Sequence, residues 1–241
     1  MSQPRKGSKR KSGRASRYYL VTGVALAIIV IVAGVWWTNQ RPNQSQLTSK
    51  PIILYVNQGN GAVNGTNFGA MAGFAVAQGF NTVFFQIYRE GTLLFSQQEL
   101  QTFVEMAHSQ NLSIFFALYI TNFSQQIPFA VLGSGENGVS LDMSTLSLAS
   151  QESLLASLKG EYGGETAVTT TDMTSPLKPY LLVLETYSPS LQSYIRPGII
   201  GSVGVFDISS KTEYQSEFQY ALRNSDGVMV FDYAGLLKSG Y

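Results

Sequence analysis

One apolar run with a polar end sets the pattern of this chain: GFNTVFFQIYREG, from Gly79 to Gly91. Its centre is continuously apolar, as expected of a strand that is buried on both faces of a sheet. Four later runs have the same shape, with an apolar body and a polar, acidic or aromatic residue near the end: FFALYI, LLVLETY, VGVFDI and VMVFDY. This repetition predicts a parallel sheet whose strands end in groups capable of chemistry.

Short apolar runs alternate with helix-like segments from Pro51 onward, which is typical of an α/β fold with a parallel sheet. We predict a compact (β/α)8 TIM-like barrel. Only about six residues separate the fifth and sixth runs, which is too few for a crossover helix. An incomplete barrel or an open doubly wound sheet is therefore the alternative. The eight runs are Ile52–Val56, Thr82–Tyr88, Ser113–Ile120, Val139–Met143, Thr166–Met173, Tyr180–Thr186, Ser202–Ile208 and Gly227–Tyr233.

Four helices are predicted between these runs. The clearest start is a capping box from Ser96 to Glu99, in which the hydroxyl and the carboxylate satisfy free backbone N–H groups. Apolar side chains recur at helical spacing after it, and Asn111 ends that helix. The other three helices are expected at Asn67–Gln78, Leu148–Lys159 and Lys211–Arg223.

The region before the sheet predicts a membrane anchor. Seven of the 16 Lys and Arg residues lie within the first 17 positions, whereas all 15 acidic residues follow Trp37. Residues 18–37 carry no charge and would span about 30 Å as a helix, with aromatic residues at both ends. We predict a cytoplasmic basic tail (1–17), a transmembrane helix (18–37), a polar linker (38–50) and an extracytoplasmic domain (51–241). A cleaved signal peptide and a basic arm for nucleic acid are the competing interpretations.

Two counts exclude common chemistries. The chain has no cysteine, so a disulfide framework, a zinc–thiolate site and a cysteine nucleophile are impossible. Its one histidine, His108, lies inside a predicted helix, which argues against a Ser-His-Asp triad. We expect no cofactor and no resident metal.

Carboxylates collect at the ends of the predicted strands, where the functional groups of a barrel lie. We predict Asp142, Glu185 and Asp207 as catalytic residues. Such acids suit the hydrolysis of a glycosidic bond, the binding of a hard cation, or hydrogen bonding to sugar hydroxyls. They could equally cap the helices that follow. The predicted substrate-binding residues are Gln86, Tyr88, Tyr119, Asp172, Asp232 and Tyr233.

The order of runs resembles TIM-barrel glycoside hydrolases. The segments that carry this resemblance are Gly79–Gly91, Asn111–Ile120 and Asp226–Leu236, within a similarity of pattern from Pro51 to Tyr233. The resemblance implies acids after strands four, six or seven, and Asp142, Glu185 and Asp207 match those places. The chain lacks an Asn-Glu pair after strand four and a D-x-D-x-E run, a difference that favours a barrel that only binds sugar as the alternative.

The sequence therefore predicts a membrane-anchored, outward-facing barrel that binds or hydrolyses a glycan, with no nucleic-acid partner. The alternative is a non-catalytic carbohydrate-binding or adhesion module of the cell envelope on the same scaffold. Fold analogy alone does not choose between them.

Overall fold

The computed structural model describes residues 50–60 and 63–240. The predicted basic tail, the predicted transmembrane helix and nearly all of the polar linker lie outside these described residues. Within the described ranges, no helix is both long enough and apolar enough to cross a bilayer.

Eight parallel strands form a closed barrel, and a ninth short strand flanks it. The first strand pairs on one side with the second and on the other side with the last, so that Ile53 lies opposite both Thr82 and Met229. The predicted barrel is thus confirmed, and the open-sheet alternative is wrong. The barrel strands are β1 (Ile52–Val56), β2 (Thr82–Arg89), β4 (Ser113–Tyr119), β5 (Gly138–Asp142), β6 (Glu165–Thr170), β7 (Leu181–Leu184), β8 (Ile200–Gly204) and β9 (Gly227–Phe231), and the flanking strand is β3 (Thr92–Leu93), antiparallel to β2.

The described residues form five α-helices, which pack outside the barrel. The four predicted helices are present within a few residues of the expected bounds, and a fifth follows the last strand. Ser96 forms the predicted capping box with Glu99. The helices are α1 (Phe68–Ala77), α2 (Gln97–Ser109), α3 (Leu148–Glu161), α4 (Lys211–Asn224) and α5 (Tyr233–Ser239).

Three connections between neighbouring strands contain no α-helix, although all of their residues are described: 120–137, 171–180 and 185–199. The second of these corresponds to the short connection seen in the sequence. An extended segment crosses there, and its Leu177 is buried in the hydrophobic layer outside the barrel. An extended segment with a buried apolar side chain thus takes the place of a helix at this connection.

Alternate residues of each strand point into the barrel. The inward residues include Ile53, Phe84, Phe115, Val183 and Met229, which form one buried cluster. Their outward neighbours pack against the helices in a second, larger cluster, in which the rings of Phe68 and Phe103 stack 4.4 Å apart. This alternation with a period of two determines which residues reach the mouth of the barrel.

Candidate active site

A cavity of about 220 Å³ opens at the end of the barrel where the strands terminate. Its lining residues continue the alternation of the inward-facing residues beyond the strand ends. Asn57 follows Ile53 and Tyr55 at a spacing of two, and Glu185 and Tyr187 follow Val183 at the same spacing. The cavity therefore lies where barrel enzymes place their active sites. It is lined by Tyr55, Asn57, Gln86, Arg89, Tyr119, Asp142, Ser144, Glu185, Tyr187 and Phe231.

A β-bulge in β2 decides which of its last residues enters the cavity. Gln86 pairs with Ala117, but the next pair is Tyr88 with Leu118, so Ile87 is an extra residue in the strand. The insertion reverses the alternation beyond it. Tyr88 consequently joins the outer hydrophobic layer, whereas Arg89 lies beside inward-facing Tyr119 and lines the cavity.

Asp142 ends β5 and is almost completely buried in the cavity wall. The Tyr55 hydroxyl donates to its Oδ2 at 3.3 Å, and the Ser144 hydroxyl lies 3.4 Å from its Oδ1. Burial raises the pKa of Asp142 to about 6, because the charged form loses its water; hydrogen bonds from Tyr55 and Ser144 and the charge of Arg89 act in the opposite direction. Asp142 is therefore mostly ionised at neutral pH.

Glu185 follows β7 and lines the same cavity as Asp142. Its backbone N–H donates to the carbonyl of Thr170 at 3.0 Å, which continues the pairing of β6 with β7 and fixes where the side chain starts. Burial, and then the negative charge of Asp142, raise the pKa of Glu185 to about 8. Glu185 is therefore mostly protonated at neutral pH, unlike Asp142.

Aromatic rings and one cation complete the walls. The ring of Phe231 lies 4.9 Å from that of Tyr55 and 5.5 Å from that of Tyr187. Burial, followed by the charge of Glu185, raises the pKa of Tyr187 well above its ordinary value, so the phenol stays neutral. The Arg89 guanidinium lies 5.3 Å from the centre of the Tyr119 ring, and its Nη1 is 3.4 Å from Asn57 Oδ1. The cavity thus offers both apolar faces and hydrogen-bond donors.

The structure brings four of the predicted site residues together in the cavity: Asp142, Glu185, Gln86 and Tyr119. The Gln86 Oε1 atom accepts a hydrogen bond from the Gln58 backbone N–H at 2.8 Å, which orients its amide. Asp207 belongs to a short 3-10 helix directly after β8, and its side chain lies outside the described part of the structure. Its predicted role stays a prediction.

The other four predicted residues are not among the described residues that line the cavity. Tyr88 is turned outward by the bulge, and Tyr233 packs in the outer layer with its ring 5.4 Å from that of Phe74. Asp232 caps α5 by accepting a hydrogen bond from the Gly235 N–H at 2.9 Å. Asp172 accepts bonds from the backbone N–H and hydroxyl of Thr174. The capping interpretation describes the contact of Asp232, whereas Asp172 is bonded within its own turn.

Six further lining residues were not among the predicted site residues: Tyr55, Asn57, Arg89, Ser144, Tyr187 and Phe231. The sequence contains a signal for three of them, because Tyr55 and Phe231 lie two residues from another inward position of the same strand, and Tyr187 continues the same spacing beyond the end of β7. Strict counting by two along each run would have found them. The same counting fails for Arg89, which reaches the cavity only through the bulge.

A larger cavity of about 430 Å³ lies at the opposite end of the barrel, where β5 and β6 begin. The carboxylate of Glu136 lines it, and its Oε1 accepts a hydrogen bond from the Gly133 N–H at 2.6 Å. We place the candidate active site at the smaller cavity, because only there do two carboxylates with raised pKa values share one space. Among residues 50–60 and 63–240, no group of three or more His, Asp or Glu residues is arranged to hold a metal ion.

No protein-family model matches this chain, and no curated protein is significantly similar to it in sequence. Solved structures share its fold at low identity. A mutant of the Thermobaculum terrenum O-GlcNAc hydrolase is 9% identical with a TM-score of 0.50, covering 75% of this chain and 54% of the hydrolase chain. CpGH84B is 8% identical with a TM-score of 0.52, covering 76% of this chain and 45% of the other.

A third similar structure contains GH20 catalytic modules of StrH, the pneumococcal exo-beta-D-N-acetylglucosaminidase, at 7% identity and a TM-score of 0.49, covering 77% of this chain and 79% of the other. The chain spans about half the length of the first two structures. The resemblance to TIM-barrel glycoside hydrolases is confirmed for the fold. Similarity at this level of identity leaves the activity to be argued from the cavity.

Proposed function

We propose that the barrel domain hydrolyses a glycosidic bond, with Glu185 as the general acid and Asp142 as the nucleophile or general base. One observation carries the proposal: two carboxylates line the same small cavity, and their surroundings separate their pKa values. The usual mechanism of glycoside hydrolysis uses one protonated and one ionised carboxyl group at the same pH.

The two carboxyl groups divide the reaction between them. Glu185 donates its proton to the glycosidic oxygen as the bond to the anomeric carbon breaks, so the leaving sugar departs as a neutral alcohol. Ionised Asp142 stabilises the positive charge that develops on the ring. It then either bonds to the anomeric carbon, forming an intermediate that water hydrolyses, or removes a proton from an attacking water.

The remaining walls suit a sugar. Asn57, Gln86 and Arg89 supply polar groups for ring hydroxyls, while Tyr119 and Phe231 supply aromatic surface. Pockets for small ligands combine these two kinds of surface in the same way. N-acetylglucosaminides are the first substrates to test, because an O-GlcNAc hydrolase is among the structures of similar fold.

The test compares Asp142→Asn and Glu185→Gln with the wild-type protein on a panel of methyl α- and β-glycosides that includes N-acetyl-β-glucosaminides, because an alkoxide leaving group needs the proton that Glu185 would supply. Each substitution removes one half of the acid–base pair, so we expect kcat/KM to fall by about 100-fold or more. Asp172→Asn is the matched control: it removes an acid at another strand end, and we expect activity within about 2-fold of wild type, a change too small to reflect lost proton transfer.

Two results would contradict the assignment. If the Glu185→Gln variant kept unchanged turnover, Glu185 would not be the general acid. A wild-type protein that binds a glycan from the panel but hydrolyses none would favour the non-catalytic carbohydrate-binding module instead. Thermal unfolding of every variant shows whether a loss of turnover reflects a loss of folded protein.

We also propose that residues 18–37 anchor the domain in the membrane and that the barrel lies on the outer side. The support comes from the sequence: an uncharged apolar run follows a cluster of Lys and Arg residues, which stay on the cytoplasmic side. The full chain should remain in the membrane pellet after alkaline carbonate washing, and protease added to intact cells should digest the barrel domain. Release by the wash, or protection from the protease, would contradict the proposed anchor or its orientation respectively.

A further inference from the structure

An exposed aromatic ring lies beside the mouth of the cavity. Phe206 follows β8 in the short 3-10 helix Val205–Asp207, and 61% of its surface is exposed. Its ring centre lies 5.4 Å from that of Tyr187 and 6.1 Å from that of Phe231, and both of these partners line the cavity. The ring thus extends the aromatic wall of the cavity outward to solvent.

The local backbone is shaped to hold this ring. A Cβ atom at position 204 would lie 2.9 Å from Phe206 Cε1 and Cζ and 3.0 Å from Tyr187 Cβ. The absence of a side chain at Gly204 thus leaves room for the Phe206 ring beside this backbone. The contacts with Tyr187 and Phe231 are edge-to-face, with interplanar angles of 74° and 89°. The ring therefore packs against both neighbours while most of its surface stays exposed.

The size of the cavity limits how many sugar rings it can hold. About 220 Å³ is below the range of about 300–1,000 Å³ that is usual for pockets of drug-sized ligands. Such a cavity suits one sugar ring, so the next ring of a glycan must lie outside the cavity, at its rim. Pyranose rings present C–H groups on a face, and an aromatic face carries the partial negative charge that attracts them.

We propose that Phe206 is a stacking platform for the sugar ring that adjoins the scissile bond on the solvent side. This inference rests on the proposed function, because it assumes that the cavity holds the neighbouring sugar. It makes Phe206 a specificity-determining residue that favours a glycan over a glycoside with a small leaving group. It assigns no role in proton transfer to Phe206.

The test uses pairs of substrates that differ only in the second ring: methyl N-acetyl-β-glucosaminide with N,N′-diacetylchitobiose, methyl β-glucoside with cellobiose, and methyl α-mannoside with α-1,2-mannobiose. For the pair that the wild-type protein accepts, we expect Phe206→Ala to lower kcat/KM for the disaccharide by roughly 2- to 12-fold, mainly through KM. Turnover of the methyl glycoside should not change. Phe206→Tyr should restore disaccharide turnover, whereas Phe206→Leu should not.

Tyr180→Ala is the matched control, because Tyr180 is 62% exposed and precedes β7 at the opposite end of the barrel. It should affect neither substrate. An equal loss on both members of a pair, or no loss in Phe206→Ala, overturns the platform while leaving the proposed hydrolysis intact. If wild type hydrolyses none of the pairs, their dissociation constants are compared instead. A disaccharide preference that Phe206→Ala abolishes supports the platform without hydrolysis, and absence of binding overturns the platform and the proposed function together.

Discussion

The carboxyl groups of Asp142 and Glu185 differ in pKa because their neighbours differ. Asp142 accepts hydrogen bonds from two hydroxyl groups and lies under the influence of Arg89, all of which favour the ionised form. For Glu185, both burial and the charge of Asp142 favour the protonated form. A strand-end acid acquires a role only through such surroundings, which explains why Asp172, bonded to its own turn, is the appropriate control.

The pH profile of kcat/KM is the first prediction. Activity needs ionised Asp142 and protonated Glu185, so it should fall below about pH 6 and above about pH 8. We therefore expect a bell with its maximum near pH 7, whose two limbs belong to the pair as a whole because the charges interact. The measurement is initial rates from about pH 4 to about pH 10. A profile that keeps rising above pH 9 would contradict Glu185 as the acid.

The bulge in β2 shows how one inserted residue changes the content of a site. Without Ile87 as an extra residue, the alternation of β2 would carry Gln86 and then Tyr88 into the cavity, which is the expectation from the sequence. With the bulge, the cavity receives a guanidinium in place of a phenol. The positive charge lies close enough to lower the pKa of Asp142. Strand bulges near active sites commonly redirect a side chain in this way.

Two substitutions distinguish the role of Arg89, which the bulge turns toward the cavity, from that of Tyr88, which it turns outward. Arg89→Met removes the only described cation that lines the cavity and keeps a chain of similar length, so we expect kcat/KM to fall by about 10-fold or more with little change in stability. Tyr88→Ala removes a ring that is 5% exposed in the outer layer. It should lower the free energy of unfolding by about 3–5 kcal/mol and leave the pH profile unchanged.

Urea unfolding and steady-state kinetics measure both quantities for both variants. The expected result is a crossed pattern, in which each variant changes one quantity and spares the other. If Tyr88→Ala reduced turnover while remaining as stable as wild type, the assignment of Tyr88 to the outer layer would be wrong. If Arg89→Met left turnover unchanged, Arg89 would have no part in the proposed reaction.

The closed barrel could be predicted because burial on both faces leaves continuous apolar runs, and all eight were visible in the sequence. Its connections were harder to predict, since nothing in the sequence shows that the extended segment with Leu177 takes the place of a helix between β6 and β7. The positions of Asp142 and Glu185 followed from the strand ends. The outward position of Tyr88 could not, because a bulge leaves no mark in a run such as FFQIYR. The aromatic wall was predictable in principle by extending the alternation past the end of each strand.

The proposed acid should destabilise the whole domain at neutral and alkaline pH. A carboxyl whose pKa rises from its ordinary value of 4.5 to about 8 on folding binds a proton more tightly in the folded state. The folded state is therefore penalised progressively as the pH rises between these two values, and the penalty is complete above the higher one. Glu185→Gln removes this titration, so the variant should become more stable than wild type by a few kcal/mol at about pH 9, relative to their difference at about pH 4.

Asp142→Asn should show the same effect over a lower window, because the pKa of Asp142 rises only from 3.8 to about 6. The increase in its free energy of unfolding relative to wild type should be complete by about pH 7. The corresponding increase for Glu185→Gln should continue up to about pH 8. Urea unfolding at several pH values distinguishes the two windows. Equal windows would mean that the two carboxyl groups have similar surroundings. The cavity would then lack the asymmetry on which acid–base catalysis depends, and the binding-only alternative would account better for the same fold.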